Sequence, residues 1–433
     1  MNVRRNRWVL VQSLLLDLIG FSLIFPVVPH LLEYYVHQST NSRIDQWLIP
    51  VIRNLEHLLP ENRPSAELIV LLGGVLASVY SFIQFAVAPM WGRLSDRIGR
   101  RPVLILTSCG LALAYFLWFT STSFSVFLLS RILAGLMAGN LGVISAAMAD
   151  MTDSSERTKA MGLLGATFGV GFILGPVIGG TAALLDLTKS FPAVPFLNPY
   201  SMCALVSVLM SVGSAFVNFR FFAETRTPVT QSERKRYRLF ETGTDLRGVP
   251  HTILIIFLFT MLFSAFEFSM TFFYKFRFSL TPARMGLIFL YLGVLLAIGQ
   301  GGLVRRIAPI LKEKRLALLG LFLIPVPLAL LGFSTSIGWS LLALAPLALG
   351  AACIRPALSG LASLLSPADH QGAALGLFRS SESLGRAIGP LAGAYLYWVY
   401  DAQIAYTVLG FLILLTGFLA FLVRSGTTEH KVA

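Results

Sequence analysis

Apolar stretches long enough to cross a lipid bilayer recur along this chain, and they restrict it to a membrane fold. A spanning helix needs about 20 consecutive, mostly apolar residues. Twelve such stretches lie at residues 8–30, 68–91, 102–121, 124–150, 159–184, 199–222, 250–274, 282–304, 315–334, 338–365, 370–397 and 402–423. The composition agrees, since 55% of the 433 residues are hydrophobic and only 13% are charged. The sequence predicts an all-α, multi-pass membrane protein with twelve transmembrane helices.

The distribution of charge predicts the orientation of the chain and its partners. Most of the 34 Lys and Arg residues fall in loops on the N-terminal side of the membrane. This positive-inside pattern places both termini of an even-numbered bundle in the cytoplasm. It also assigns the net charge of +13 to membrane topology and not to nucleic-acid binding. We expect a monomer surrounded by membrane lipid, in a bacterial inner membrane or, alternatively, an intracellular organelle membrane.

Two long polar intervals define the expected domains. Residues 223–249 form a cytoplasmic linker between a first six-helix bundle, residues 1–222, and a second, residues 250–433. An outer loop, residues 31–67, follows the first span. Apolar side chains recur at helical spacing in this loop, at Trp47, Leu48, Val51, Ile52, Leu55 and Leu58. They favour a short amphipathic helix on the outer membrane surface, and a solvated ordered loop is the alternative.

An internal repeat relates the two bundles. A shift of 214 residues aligns GVGFILGPVIGG, residues 169–180, with SLGRAIGPLAGA, residues 383–394. The aligned residues are Gly171, Gly175, Pro176 and Gly179 in the first copy and Gly385, Gly389, Pro390 and Gly393 in the second. Glycines at every fourth position allow close helix packing, and the proline permits a kink. Their equivalent places, in spans five and eleven, indicate duplication and a pseudo-twofold transporter architecture.

Several motifs resemble those of the major facilitator superfamily. The segment GRLSDRIGRRPVLIL, residues 92–106, is similar at every defining position to the loop signature G-x-L-x-D-R-x-G-R-R. Residues 128–139, 171–180 and 14–29 resemble the fourth-, fifth- and first-span motifs of twelve-span drug:proton antiporters, particularly the tetracycline efflux proteins. FSAFEFSMTFF in span seven and GLFRSSESLGRAIGP in span eleven look like the animal tetracycline transporter-like branch. The resemblance implies the major facilitator fold, with two pseudo-symmetric six-helix halves.

The loop signature is predicted to act as a gate. Asp96, at the cytoplasmic end of span two, can face the N-terminus of a neighbouring helix, which attracts an anion. The resemblance implies that this helix is span eleven. Arg100 can be held by Asp150 at the end of span four, and Gly92 and Arg97 complete the motif. Such a cluster would hold the cavity open outward and break when it opens inward; the alternative is that these charges only fix topology.

Seven ionisable residues lie well within the spans, where charges usually face a cavity and mark ion or substrate pathways. They are Asp17, Arg131, Glu267, Arg355, Arg379, Glu382 and Arg386. Their formal sum of one positive charge favours anionic or zwitterionic amphiphiles. Asp17 lies near the midplane, where burial favours the neutral acid. We expect Asp17 to carry the coupling proton, to bind substrate or to be structural, and the resemblance implies that Arg131 tunes it.

The second half carries most of the expected substrate site. Glu267 has phenylalanine neighbours, including Phe263 and Phe266, which suit an apolar ligand but are also typical of lipid-facing surface. Arg355 requires an acidic partner, such as Glu382, or an anionic ligand.

The charges of span eleven are specific to the second half. The 214-residue shift places uncharged residues opposite Arg379, Glu382 and Arg386, so packing does not demand these charges. Glu382 can pair with either arginine. These three residues then have a structural role, bind an anionic group, or form an ion pair that exchanges partners during transport. Asn140 and Gln300 complete the predicted substrate site.

Glu267 and Glu382 are further candidates for proton coupling beside the acid of span one. GxxxxGK[ST], HExxH and GxSxG do not occur, so neither ATP-driven pumping nor enzymatic activity is expected, and no cofactor or metal. The combined prediction is a secondary transporter that exports amphiphilic organic compounds by proton antiport. The alternatives are a facilitative or proton-coupled transporter of organic anions or lysolipids, and a non-transporting receptor or scaffold.

Overall fold

The described residues are almost entirely helical. The computed structural model describes residues 3–39, 45–47, 50–51, 54, 68–152, 154–225, 249–366 and 371–422. The helices of its first part are α1 (Val3–Ser22), α2 (Val28–Ser39), α3 (Leu68–Ile98), α4 (Arg100–Phe119), α5 (Phe124–Met137), α6 (Asn140–Asp150), α7 (Ser154–Ala182), α8 (Leu187–Ser190) and α9 (Ser201–Phe221). Those that follow are α10 (Val249–Phe278), α11 (Pro282–Ile298), a π-helix (Gly299–Val304), α12 (Arg305–Leu323), α13 (Pro325–Gly332), α14 (Ile337–Leu364), α15 (Gln371–Val399) and α16 (Ala402–Leu422).

All twelve predicted spans are helical. Among the described residues, nine helical segments are long and apolar enough to cross a membrane. One of them, Pro282–Gly332, contains two of the predicted spans. The other two are α1 and α15, whose apolar character is interrupted by ionisable residues such as Asp17 and Glu382. The predicted all-α, twelve-span architecture is confirmed.

The helices group into two compact units. The first contains the described residues up to 225 together with 269–293, and the second contains residues 249–268 and 294–422. Helices α10 and α11 therefore each contribute residues to both units. Most of the predicted linker, and most of the amphipathic helix predicted in the outer loop, lie outside the described residues. The domain boundary stays a prediction.

In the first unit, α7 packs closely on α1 through the predicted glycines. A side chain at Gly175 would overlap the hydroxyl of Ser22, and one at Gly179 would overlap the backbone carbonyl of Leu23. Gly171, one turn earlier, faces Leu18 in the same way. Small residues let the backbones approach, and Pro176 is accommodated inside the helix.

In the second unit, α15 packs on α10 by the same device. Gly385, Gly389 and Gly393 lie against successive turns of α10, and Pro390 is inside α15. The fifth and eleventh spans thus each pack through a glycine-lined face against the first helix of their own half. This correspondence supports the duplication that the sequence repeat predicts.

A methyl group at Gly389 should destabilise the second unit. The Cβ of Gly389→Ala would lie 2.6 Å from the carbonyl oxygen of Met261 and 2.7 Å from Cβ of Ser264. Such overpacking typically costs about 1 to 3 kcal/mol. We expect a lower thermal unfolding temperature for the purified variant in detergent. Gly376→Ala is the control on the same helix, because nothing lies within 4 Å of its added carbon; equal unfolding temperatures for both variants would contradict the packing argument.

Candidate functional site

A break in the fourth span places a polar residue in the middle of the first unit. Helices α5 and α6 are separated by two residues, and the break leaves backbone carbonyls without helical partners. Gln84 donates a hydrogen bond to the carbonyl of Ala138 at 3.2 Å, and Trp91 donates to that of Leu136 at 2.7 Å. Both donors come from α3. The break thereby makes Asn140 the first residue of α6, with its side chain directed inward.

Asp17 is the acid that this asparagine meets. Its side chain is buried in α1, with 9% of its surface exposed. Nδ2 of Asn140 donates to Oδ2 of Asp17 at 2.6 Å, whereas Oδ1 has no hydrogen-bond partner among the described residues. One oxygen is therefore held in place and the other can accept a proton. This arrangement suits a carboxyl group that alternates between charged and neutral forms.

Arg131 is held by aromatic rings instead of an acid. Its guanidinium carbon lies 5.1 Å from the ring centroid of Trp118 and 5.4 Å from those of Tyr115 and Phe127. Such cation–π contacts stabilise a desolvated cation. Within the described residues it makes no hydrogen bond or ion pair with Asp17, although Tyr115 lies close enough to interact electrostatically with both. The tuning of Asp17 implied by the resemblance would therefore be indirect.

Four charged side chains come together in the second unit. Arg355 of α14 forms an ion pair with Glu382 of α15, the partner predicted for it. Arg386 of α15 interacts electrostatically with both of these residues and with Glu267 of α10. We call Glu267, Arg355, Glu382 and Arg386 the charge cluster. Its two positive and two negative residues balance formally, so its members can exchange partners without a change in net charge.

The other predicted substrate residues are placed differently. Arg379 is exposed on α15 and makes no hydrogen bond or ion pair within the described part of the chain, so the alternative pairing with the neighbouring glutamate is not found. Gln300 is exposed on the π-helix, an element frequent at functional sites. Phe266 is fully buried between Phe263 and Tyr406, at centroid distances of 5.8 and 5.7 Å. Its ring is part of the helix-packing core in this conformation and does not line a cavity within the described part of the chain.

The loop signature forms a separate ion-pair network at the end of α3. The buried guanidinium of Arg100 contacts Oδ1 of Asp96 at 2.7 Å and Oδ2 of Asp150 at 3.0 Å. The contact between Arg100 and Asp150 was predicted. Gly92 and Arg97 lie within the last two turns of α3, and Arg97 is exposed. The described contacts therefore join spans two, three and four; the gating role of these residues stays a prediction.

Glu224 belongs to the same ion-pair network, and no sequence motif predicts this role for it. Its two carboxylate oxygens accept hydrogen bonds from the backbone N–H groups of Arg100 and Arg101, at 2.9 and 3.0 Å. It thus caps the N-terminus of α4, where an anion is favoured. Gly99 makes room for it, because its φ is 105° and a side chain there would overlap the Glu224 carboxylate. Nothing local in the sequence indicates a pairing across more than 120 residues.

Comparisons with known proteins agree with this architecture. The sequence matches the Major Facilitator Superfamily over residues 10–388 and 313–433. It is 32% identical over 436 residues to mouse "Major facilitator superfamily domain-containing protein 10", covering 95% of this chain and 91% of the relative. It is 30% identical over 393 residues to the Escherichia coli "Tetracycline resistance protein, class B", covering 88% and 86%.

A solved structure is similar over nearly the full chain. The crystal structure of the human organic anion transporter MFSD10 (TETRAN) superimposes with a TM-score of 0.74 and 30% identity, covering 97% of this chain and all of that one. The predicted resemblance to both groups of relatives is confirmed, as is the prediction of a transporter and not an enzyme. The chain belongs to the Major Facilitator Superfamily of membrane transporters.

Proposed function

We propose that this transporter exports amphiphilic organic anions in exchange for protons, by alternating access. The supporting observation is the placement of Arg379. It lies about eight residues, or roughly 12 Å, into α15, exposed and without an acidic partner in the described residues. The neighbouring charge cluster is formally balanced, so Arg379 supplies the surplus positive charge. An anionic substrate would offset it, and the similar human protein is named as an organic anion transporter.

Proton coupling is assigned to Asp17. It is a buried acid with one oxygen fixed by Asn140 and one unpartnered among the described residues. A membrane potential supplies about 2.3 kcal/mol per charge for each 100 mV, which is enough to drive a roughly fifty-fold gradient, since 1.36 kcal/mol is a factor of ten. Glu267 and Glu382 are the alternative carriers.

A monomer with both termini in the cytoplasm fits this proposal. We place it in a plasma or organelle membrane instead of a bacterial inner membrane. The mouse relative supports this placement, because its similarity covers 95% of the chain and that of the E. coli protein 88%.

Liposomes that contain the purified protein provide the test. With an acidic interior, protons leaving the liposome should drive uptake of a fluorescent organic anion above its equilibrium level, and a protonophore should abolish this accumulation. A cationic compound with the same ring system is the control for substrate charge. Anion flux that ignores the pH gradient would instead favour facilitative transport, and binding without flux would favour a receptor.

Loss of the Asp96 charge should slow transport without weakening substrate binding. Asp96→Asn weakens the ion pair with Arg100, so the ion-pair network at the end of α3 would stabilise the outward-open conformation less. We expect a lower initial rate of uptake at equal protein content, with unchanged affinity in a thermal-shift titration. Arg93→Gln, an exposed change on the same helix, is the control. Full transport activity for Asp96→Asn would contradict the gating role.

A further inference from the structure

We propose that the interior of the first unit contains a water-binding proton path, which connects Asp17 with the N-terminal end of α1. This inference rests on the proton coupling proposed above, and goes beyond it by assigning the route and the residues that form it. The route lies inside one unit, among α1, α4, α6 and α9, and is separate from the charge cluster of the second unit.

The helix α9 supplies the polar wall of this path. Its buried face carries Ser207, Ser211, Ser214 and Asn218, at spacings of three and four residues. Ser207 bonds to Gly20, on the far side of Asp17 from Ser13, so only the other three line the path. Its other face exposes large apolar side chains: Leu209, Val212, Phe216, Phe219 and Phe221. A spanning helix exposes apolar residues to lipid and needs polar ones inside only where they bond to other helices or to water. This polar face packs against α1 and α4.

Hydrogen bonds connect this face to the proton site in one continuous row. The polar row consists of Asp17, Asn140, Ser108, Ser214, Ser13 and Asn218. Asn140 lies 2.6 Å from Asp17 and 3.4 Å from the hydroxyl of Ser108. The hydroxyls of Ser108 and Ser214 are 3.3 Å apart, and those of Ser214 and Ser13 are 2.9 Å apart. Asn218 donates to the hydroxyl of Ser13 at 2.7 Å.

Unpartnered buried atoms along the row, and at Ser211 on the same face of α9, indicate that the path binds water. Oδ1 of Asp17, Asn140 and Asn218, and the hydroxyl of Ser211, have no hydrogen-bond partner among the described residues. Each of these side chains is at least nine-tenths buried. A buried polar atom left without a partner costs about 1 to 3 kcal/mol, and water that donates to such atoms removes that cost. Nδ2 of Asn140 only donates, to Asp17 and to Ser108, so the proton leaves Oδ1 of Asp17 through water instead of through the amide. Serine hydroxyls and water both donate and accept, so together they can relay it.

Apolar residues at the end of the row prevent a proton leak. Between Ser13 and the first turn of α1 lie Val9 and Leu10, which are buried in an apolar cluster with Phe222. Beyond them Asn6 exchanges hydrogen bonds of 2.9 and 3.1 Å with the backbone of Ala223. An apolar layer of this kind blocks protons until it is hydrated. The row therefore delivers a proton only when a conformational change opens this layer.

Asp17 is the acid of the row, and its titratable neighbours are two tyrosines. Tyr80 of α3 and Tyr115 of α4 interact electrostatically with Asp17 and with Arg131 of α5. Asn140 is the neighbour contributed by α6, and α9 contributes only hydroxyls and an amide. A relay from this acid toward α9 therefore runs through hydroxyls and water and requires no second ionisable group.

The test separates movement of protons from movement of substrate. Asn218→Leu and Ser211→Ala are reconstituted, and two rates are compared: uptake driven by the pH gradient, and exchange of labelled for unlabelled anion at equal pH. We expect gradient-driven uptake to fall by about tenfold, equivalent to about 1.4 kcal/mol, whereas exchange stays near the wild-type rate. Ser207→Ala is the control, because its hydroxyl already donates to the carbonyl of Gly20 at 3.0 Å; both rates should be unchanged.

The outcomes distinguish this inference from the proposed function. Wild-type uptake that does not depend on the pH gradient would contradict both the proposed proton antiport and the proton path. Gradient-driven uptake in the wild type that persists unchanged in both variants would overturn the proton path alone. Parallel loss of uptake and exchange in Ser211→Ala, which removes a single hydroxyl, would assign the row a structural role and also overturn it. Selective loss of gradient-driven uptake in either variant supports the path.

Discussion

Asp17→Asn is expected to abolish uptake driven by a pH gradient while substrate exchange at equal pH continues. Asparagine has nearly the same size as aspartate but cannot gain or lose a proton. It can still bond to Asn140, which holds Oδ2 of the native side chain at 2.6 Å. The variant should therefore fold and bind substrate. Both rates can be measured in the same liposomes, with a pH-sensitive dye inside to report proton movement.

Asp17→Glu is the matched control for this experiment. It keeps the acid and should retain part of the coupling, although the longer side chain must fit the buried site next to Asn140. Coupling that survives in Asp17→Asn would show that another acid carries the proton. Glu267→Gln and Glu382→Gln would then identify it, because these are the two acids of the charge cluster.

The fold could be predicted well because its determinants are local. Span length follows from runs of apolar residues, and the close packing of the fifth span on another helix follows from glycines at every fourth position, such as Gly175 and Gly179; the structure identifies that helix as α1. The loop signature likewise places Asp96 and Arg100 four residues apart, on either side of the turn at Gly99. Each of these inferences requires only a short stretch of sequence and a rule of helix geometry.

The candidate site could be predicted only in part, because its contacts join distant segments. The pairing of Arg355 with Glu382 followed from charge alone, since an arginine inside a span needs a partner. The capping of α4 by Glu224 had no such indication. The polar face of α9 did have one, in serines and an asparagine at helical spacing. Serine is compatible with an apolar span, however, so the spacing alone does not identify a buried face; the packing of α1 and α4 on it does.

Arg379→Gln is expected to weaken the binding of organic anions by about tenfold while leaving thermal stability unchanged. The reason is electrostatic: a pair of unit charges 4 Å apart is worth about 4 kcal/mol at an effective dielectric constant near 20, and exposure to solvent reduces this to a fraction. Stability should not change, since Arg379 makes no hydrogen bond or ion pair with the described residues. A thermal-shift titration measures affinity and stability in one experiment.

Two further variants make this prediction specific to charge and position. Arg220→Gln removes one exposed positive charge at the end of α9 and should leave anion affinity unchanged. Arg379→Glu should reverse the preference, so that a cationic analogue binds better than the anion. Equal anion affinity in the wild type and in Arg379→Gln would contradict the assignment of the surplus charge. The anion would then have to bind within the charge cluster itself, by displacing Glu382 from Arg355.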